Sequence, residues 1–253
     1  MWIDTHCHPF DKQFDLDRGE IFERGRAAGV GKMISVGYNK WANRKALEDA
    51  QEHADVWAAV GVHPCDCQDW DGEKEWMREV AAVAENRIIA IGEAGLDYHH
   101  MRHPKEEQER VFREQIQLSK ELGLPLVVHS RDAGEDTLRI LAEEDAQKVI
   151  LHCFAYGHEV AQQAWDRGYF TAFGGVVTYP KAKDVQAAAE NCPLDLLLVE
   201  TDCPYIATQK HRGKRNEIAY VVEVGEKIAR LRGVDVSEIA AASTKNAQQL
   251  FEI

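Results

Sequence analysis

Two histidines stand one residue apart where the first apolar run closes, in Met1-Trp2-Ile3-Asp4-Thr5-His6-Cys7-His8. Residues i and i+2 of an extended strand face the same way. His6 and His8 can therefore present two imidazoles to one point, with Cys7 turned to the opposite side. Such a pair is a clamp for a cation. Imidazole suits zinc, iron, nickel or copper, and added carboxylates widen the choice toward manganese and magnesium. Five further residues have the same character, each closing an apolar run: His63 in "GVHP", Glu93 in "IGEAGLD", His129 in "LVVHSRD", His152 in "VILHCF" and Asp202 in "LLVETDCP". A lone histidine at a strand end is ordinarily a hydrogen-bonded rim residue. Five of the eleven histidines and two acids gathered at such ends need another explanation. Burying that many titratable groups together is costly unless a bound metal compensates.

The elements that must position these residues can be read from periodicity. Eight β-rich runs span 1–4, 32–36, 56–62, 87–92, 125–129, 148–152, 169–173 and 196–202. They alternate with amphipathic stretches. In 104–123 a Pro opens the first turn, acids follow, and Val111, Phe112, Ile116 and Leu122 form one stripe before Gly123 and Pro125 stop it. The stretch 39–54 has Asn39 as its cap. Runs such as "WAAVGV" and "RIIAIG" are apolar throughout, as strands of a parallel sheet covered by helices are. Eight β/α units in 253 residues predict a (β/α)8 TIM barrel, with extra C-terminal helices over about 216–251, in a single domain spanning 1–253. No Gly-x-Gly-x-x-Gly follows the first run, which disfavours an open dinucleotide-binding sheet. In a barrel, the carboxyl ends of the strands surround one mouth, so residues far apart in sequence are expected to converge there.

Bulk properties agree with an enzyme domain. The 45% hydrophobic and 29% charged composition is that of a globular chain with a real core. No linker, low-complexity tract, signal peptide or membrane-length apolar run stands out, so a cytoplasmic protein with reduced thiols at its six cysteines is expected. The net charge of -13 argues against coating nucleic acid through many Lys/Arg–phosphate contacts. It leaves room for one strand end in a pocket where a metal supplies the positive charge.

With these motifs assembled, the sequence resembles the TatD-type metal-dependent deoxyribonucleases of the amidohydrolase superfamily. "IDTHCH", "GVHP", "IGEAGLDYHH", "EEQERVFREQI", "LPLVVHSRDA", "LHCF", "TYPKAK", "VETDCPY" and "GKRNE" carry the resemblance, in the family's order, over about residues 3 to 217. The resemblance implies a barrel hydrolase with two divalent ions (magnesium, manganese or zinc) and DNA as substrate, acting as a 3′-5′ exonuclease on single strands. No organic cofactor and no membrane are implied. It further implies that His6, His8 and Asp202 hold one ion, His129 and His152 the other, and that Glu93 bridges them. His63 would lie beside the metals, within reach of substrate phosphate. Two ions would hold a water between them and lower its pKa, and Asp202 would orient it and accept its proton. Asn216-Glu217-Ile218, "IATQKH" and "CHPF" depart from the family's usual loops, and this bears on substrate choice rather than on the ligands. The same ligands would also serve hydrolysis of a lactone, an amide or the ester of a misacylated transfer RNA, or a non-catalytic metal-binding scaffold.

Secondary candidates surround this set. Glu200, two residues before Asp202, is placed to orient a ligand. Arg215, with Lys210, Arg212 and Lys214 in "QKHRGKRNE", and Arg131 after the fifth run are candidates to grip phosphate; a plain solvated loop is the rival for the lysines. Tyr98, Phe154, Tyr156 and Tyr205 could stack on bases. Cys65-x-Cys67 lacks a second pair, and His99, His100 and His103 read as loop residues rather than ligands. Trp41, Trp57, Trp70, Trp76 and Trp165 are expected to pack.

Overall fold

The computed structural model describes residues 1–253. Its eight strands are β1 (Trp2–Cys7), β2 (Val30–Val36), β3 (Val56–Val60), β4 (Ile88–Asp97), β5 (Leu126–Arg131), β6 (Val149–Leu151), β7 (Phe170–Phe173) and β8 (Leu197–Val199). They lie in one sheet in the order β1 to β8. The helices between and after them are α1 (Arg18–Ala27), α2 (Lys40–Glu52), α3 (Trp70–Ala81), α4 (Lys105–Leu122), α5 (Gly134–Glu143), α6 (His158–Trp165), α7 (Lys183–Asn191), α8 (Val221–Arg232) and α9 (Val236–Phe251). This is the expected (β/α)8 fold with C-terminal helices. Local chemistry sets the helix ends as foreseen. The Asn39 side chain accepts from the Ala42 amide at 2.9 Å, and Gly123 ends α4 at φ 68°. No helix is long and apolar enough to cross a membrane.

The chain divides into two compact units, Met1–Ile34 with His152–Ile253, and Ser35–Leu151. In the first unit, β7 pairs parallel to β8, with Thr171, Ala172 and Phe173 opposite Leu197, Leu198 and Val199. Cys7 and Cys203 extend this order as a parallel bridge. Asp4 fixes β1 against the end of β8. It accepts from the Thr201 amide at 2.9 Å and hydroxyl at 2.6 Å. Burial pushes its carboxyl up to about 8, against the pull of those bonds. Ile3, Phe10, Phe14, Phe22, Phe173, Ile218 and Ile239 are among the core residues of this unit.

In the second unit, β3, β4, β5 and β6 pair in parallel. The β4–β5 register slips between Ile91 and Ala94, where three steps on β4 face two on β5, from Leu126 to Val128. This is a bulge at Gly92-Glu93, a device that re-aims a side chain. The strand then continues to Asp97, beyond the expected end of the run at 92. Of the five tryptophans expected to pack, Trp41 is the exception, at 50% exposed. Trp57 and Trp76 lie under Arg87 and Arg44, and Trp70 and Trp165 are buried.

Gly225 of α8 packs directly on β1. A Cβ there would come 2.0 Å from the Trp2 ring, which is buried. Gly225→Ala is expected to lower stability by about 1–3 kcal/mol through overpacking, read as a fall in the urea midpoint at unchanged slope.

Candidate metal centre

The first unit gathers His6, His8, His152 and Asp202, all buried. His6 is in β1 and His8 just past its end. Their Nε2 atoms are 3.2 Å apart, while Cys7 turns the other way and its Sγ meets the Ile34 carbonyl at 3.3 Å. Asp202 Oδ1 is 3.2 Å from His8 Nε2 and 3.9 Å from His6 Nε2. The His152 ring stacks on His6 at 3.9 Å, and the donors of His6, His152 and Asp202 lie within 4.8 Å of one another. Two donors around a tetrahedral zinc ion stand about 3.4 Å apart, from metal–ligand lengths of about 2.1 Å. The spacing of His6, His8 and Asp202 therefore fits a cation. The electrostatics point the same way. Burial disfavours the Asp202 charge, but His8, His6 and His152 together hold its carboxyl below the ordinary range.

Glu200 stands behind this group. Its Oε1 is 3.5 Å from His152 Nδ1 and accepts from the Cys153 amide at 2.6 Å. Burial raises its carboxyl, opposed by His152. β8 ends at Val199 and Asp202 has φ 57°, so turns rather than strand alternation aim Glu200 and Asp202 at imidazoles.

The second unit gathers His63, Glu93, Asp97 and His129. His129 has a carboxylate at each ring nitrogen, Glu93 Oε1 at 3.0 Å from Nδ1 and Asp97 Oδ2 at 3.3 Å from Nε2. Asp97 is the residue sequence reasoning missed. It lies four positions after Glu93 on the same strand, and that spacing was the available signal. Burial disfavours its charge, but His129, His100 and backbone amides hold its carboxyl well below the usual range. A carboxylate on one imidazole nitrogen fixes the ring so that the other can meet a metal. Asp97 is placed for that on Nε2, with Nδ1 facing Glu93. His63 Nδ1 accepts from the Cys65 amide at 3.0 Å, which places the proton of a neutral ring on Nε2, 3.6 Å from Glu93 Oε1.

The remaining candidates fall as follows. Arg131 ends β5 and is exposed. Tyr98 follows β4, pairs its amide with the Arg131 carbonyl, and donates its hydroxyl to Asp136 at 3.1 Å. Phe154 is buried against Phe173, with Tyr156 at its edge. Cys65, Asp97 and His100 have donors within 4.8 Å, while burial pushes the thiols of Cys65 and Cys67 up to about 11 and about 12. His99 pairs with Asp132, and His103 with Glu107. Arg215 lies over the Phe14 ring and bonds both oxygens of Asp17, the Glu217 carboxylate and the Gln13 carbonyl; Arg24 joins the same two acids.

Known proteins match this chain over its whole length. The family model described as TatD related DNase matches residues 3–252. A Bacillus subtilis protein named uncharacterized metal-dependent hydrolase YabD is 42% identical, with all of both chains covered. The Salmonella typhimurium 3′-5′ ssDNA/RNA exonuclease TatD is 36% identical over 95% of each. Among solved structures, the YjjV TatD homolog of Escherichia coli K12 superposes with a TM-score of 0.92 at 28% identity, covering 100% of this chain and 98% of its own.

The Arg215 cluster yields a pH test. Arg215 and then Arg24 lower the Asp17 pKa from an ordinary 3.8. A lowered carboxylate contributes stability that is present above its unfolded value and lost as pH falls through the folded one. Asp17→Asn should therefore unfold at lower urea than wild type at pH 7, and the gap should close as pH drops below 3.8. A gap independent of pH would show that the ion pairs do not stabilise.

Proposed function

The chain belongs to the TatD-related DNase family and is a metal-dependent hydrolase, and from this we propose that it cleaves phosphodiester bonds of single-stranded DNA from the 3′ end. We take 1–253 as one hydrolase domain. The observation that supports the reading best is the close triangle of His6, His8 and Asp202 donors, at 3.2, 3.2 and 3.9 Å. Carboxylate and imidazole donors suit magnesium, manganese or zinc. In this proposal His6, His8 and Asp202 would hold one divalent ion and His129 and His152 a second, with Glu93 as a ligand shared between them. When bound, the ions supply charge stabilisation to the phosphoryl oxygens and make water easier to ionise.

The protein's own groups do the rest. Asp202, kept ionised by its imidazoles, takes the proton of the attacking water. The water oxygen bonds to phosphorus as the bond to the departing nucleotide breaks. His63, with its only ring proton on Nε2, donates a hydrogen bond to the phosphate or to the departing oxygen, which takes its proton from water. Glu200 steadies the His152 ring and Asp97 the His129 ring. Arg131 and Tyr98, neighbours at the ends of β5 and β4, contact substrate, with Arg215 as a further candidate whose charge is already matched by Asp17 and Glu217.

Metal-stripped protein given magnesium, manganese or zinc should shorten a 5′-labelled single strand stepwise from its 3′ end. Glu93→Ala should abolish this and lower metal content. Asp202→Asn should reduce turnover by about 10²–10⁴-fold. Metal binding without cleavage of any strand would move the assignment to another ester or amide substrate.

A further inference from the structure

The charge of the chain is unevenly placed. Against a net -13, segments 175–183 and 204–217 together carry six Lys and Arg and a single carboxylate, Glu217. Both belong to the first unit, and they follow β7 and β8, the strand that leads into Asp202. They are also stitched to each other. The Thr178 hydroxyl accepts from the Gln209 amide at 2.7 Å, the Tyr179 hydroxyl donates to the Ala207 carbonyl at 2.7 Å, and the Arg212 guanidinium lies 4.8 Å from the Tyr179 ring centre. The cations on this pair do not share one fate. Arg215 and Lys210 are compensated, by Asp17 with Glu217 and by Glu223. Lys181, Lys183, Arg212 and Lys214 are exposed.

The same pair of loops begins at the metal-ligand end. Tyr205, 42% exposed, lies with its ring 5.8 Å from that of His8, and its hydroxyl donates to Asp11 at 3.0 Å. An aromatic face held in place next to exposed cations on braced backbone is the combination that binds single strands: bases stack and phosphates are paired. An acidic protein surface elsewhere would confine a polyanion to this strip.

We propose that the two stitched loops form a track for the body of a single-stranded polynucleotide, with Tyr205 stacking a base near the metal ligands and Lys181, Lys183, Arg212 and Lys214 pairing phosphates farther along. This rests on the nuclease reading for its direction, but it is a binding claim and is tested without hydrolysis.

The test uses metal-loaded protein and a fluorescent, phosphorothioate-linked 20-mer of thymidylate, read by anisotropy across a salt series. Each phosphate contact on a single strand contributes about 0.7 to the slope of log affinity against log salt. Replacing Lys181, Lys183, Arg212 and Lys214 by Ala should lower the slope by about 2 to 3 and weaken binding at low salt by at least about tenfold. Exchanging the same four between Lys and Arg should restore both. Thermal midpoints equal to wild type would show that the variants fold. A wild-type slope in the alanine variant, or no binding of the 20-mer by wild type, would overturn the track. Strong, charge-dependent binding by a protein that cleaves no strand would instead overturn the nuclease reading and leave the track standing.

Discussion

Asp202 is buried and has the imidazoles of His6, His8 and His152 around its carboxylate. A buried charge persists only where opposite charge or donors accompany it. That requirement explains much of the first unit. β1 must lie beside β8 for His6 and His8 to reach Asp202, and Asp4, itself buried, locks the two through Thr201. Glu200 must then sit behind His152, where its own burial raises its carboxyl and the imidazole offsets part of the cost. The arrangement is one that a divalent cation satisfies better than protons do, because one ion can meet several donors at once.

The second unit meets the same constraint differently. Here His129 is the shared partner, with Glu93 and Asp97 at its two nitrogens. A regular strand would carry Glu93 in step with its neighbours. The bulge at Gly92-Glu93 breaks that step, and Gly95 at φ 138° passes so close to β5 that a Cβ would fall 1.9 Å from the His129 carbonyl oxygen. The backbone is thus shaped to bring two carboxylates to one ring. The sequence motif Gly-Glu-Ala-Gly-Leu-Asp is this geometry written out, a bulge glycine, an acid, a close-approach glycine and a second acid.

Much of this was legible in advance because it depends on short-range rules. Apolar runs locate strands, strand parity pairs His6 with His8, and Asn39 and Gly123 mark helix ends. Asp97 is hidden in the sequence because the bulge interrupts β4, and the apolar run closes at Gly92 while the strand goes on to Asp97. Glu200 and Asp202 fall inside the apolar run 196–202, yet the strand stops at Val199 and turns do the aiming. Arg215 reads from sequence as a phosphate grip because its partner Asp17 lies 198 residues away, beyond any local pattern. Trp41 is a packing residue by type, but type says little about which face of a helix end meets solvent.

Those long-range pairings also change what the basic loop means. Sequence offers Lys210, Arg212, Lys214 and Arg215 as a single basic run, with Arg215 the foremost candidate to grip phosphate. The fold sorts them. Lys210 and Arg215 anchor the loop to α8 and to the segment before α1, through Glu223 and Asp17. Their charges are matched and their side chains tie the loop to neighbouring segments. Arg212 and Lys214 remain exposed on that tethered backbone, and the bonds from Thr178 and Tyr179 bring the segment with Lys181 and Lys183 alongside. A flexible cation loses side-chain and backbone entropy when it grips a phosphate. Cations on backbone that is already braced lose less, which makes a handful of them effective on a chain whose net charge alone would repel nucleic acid.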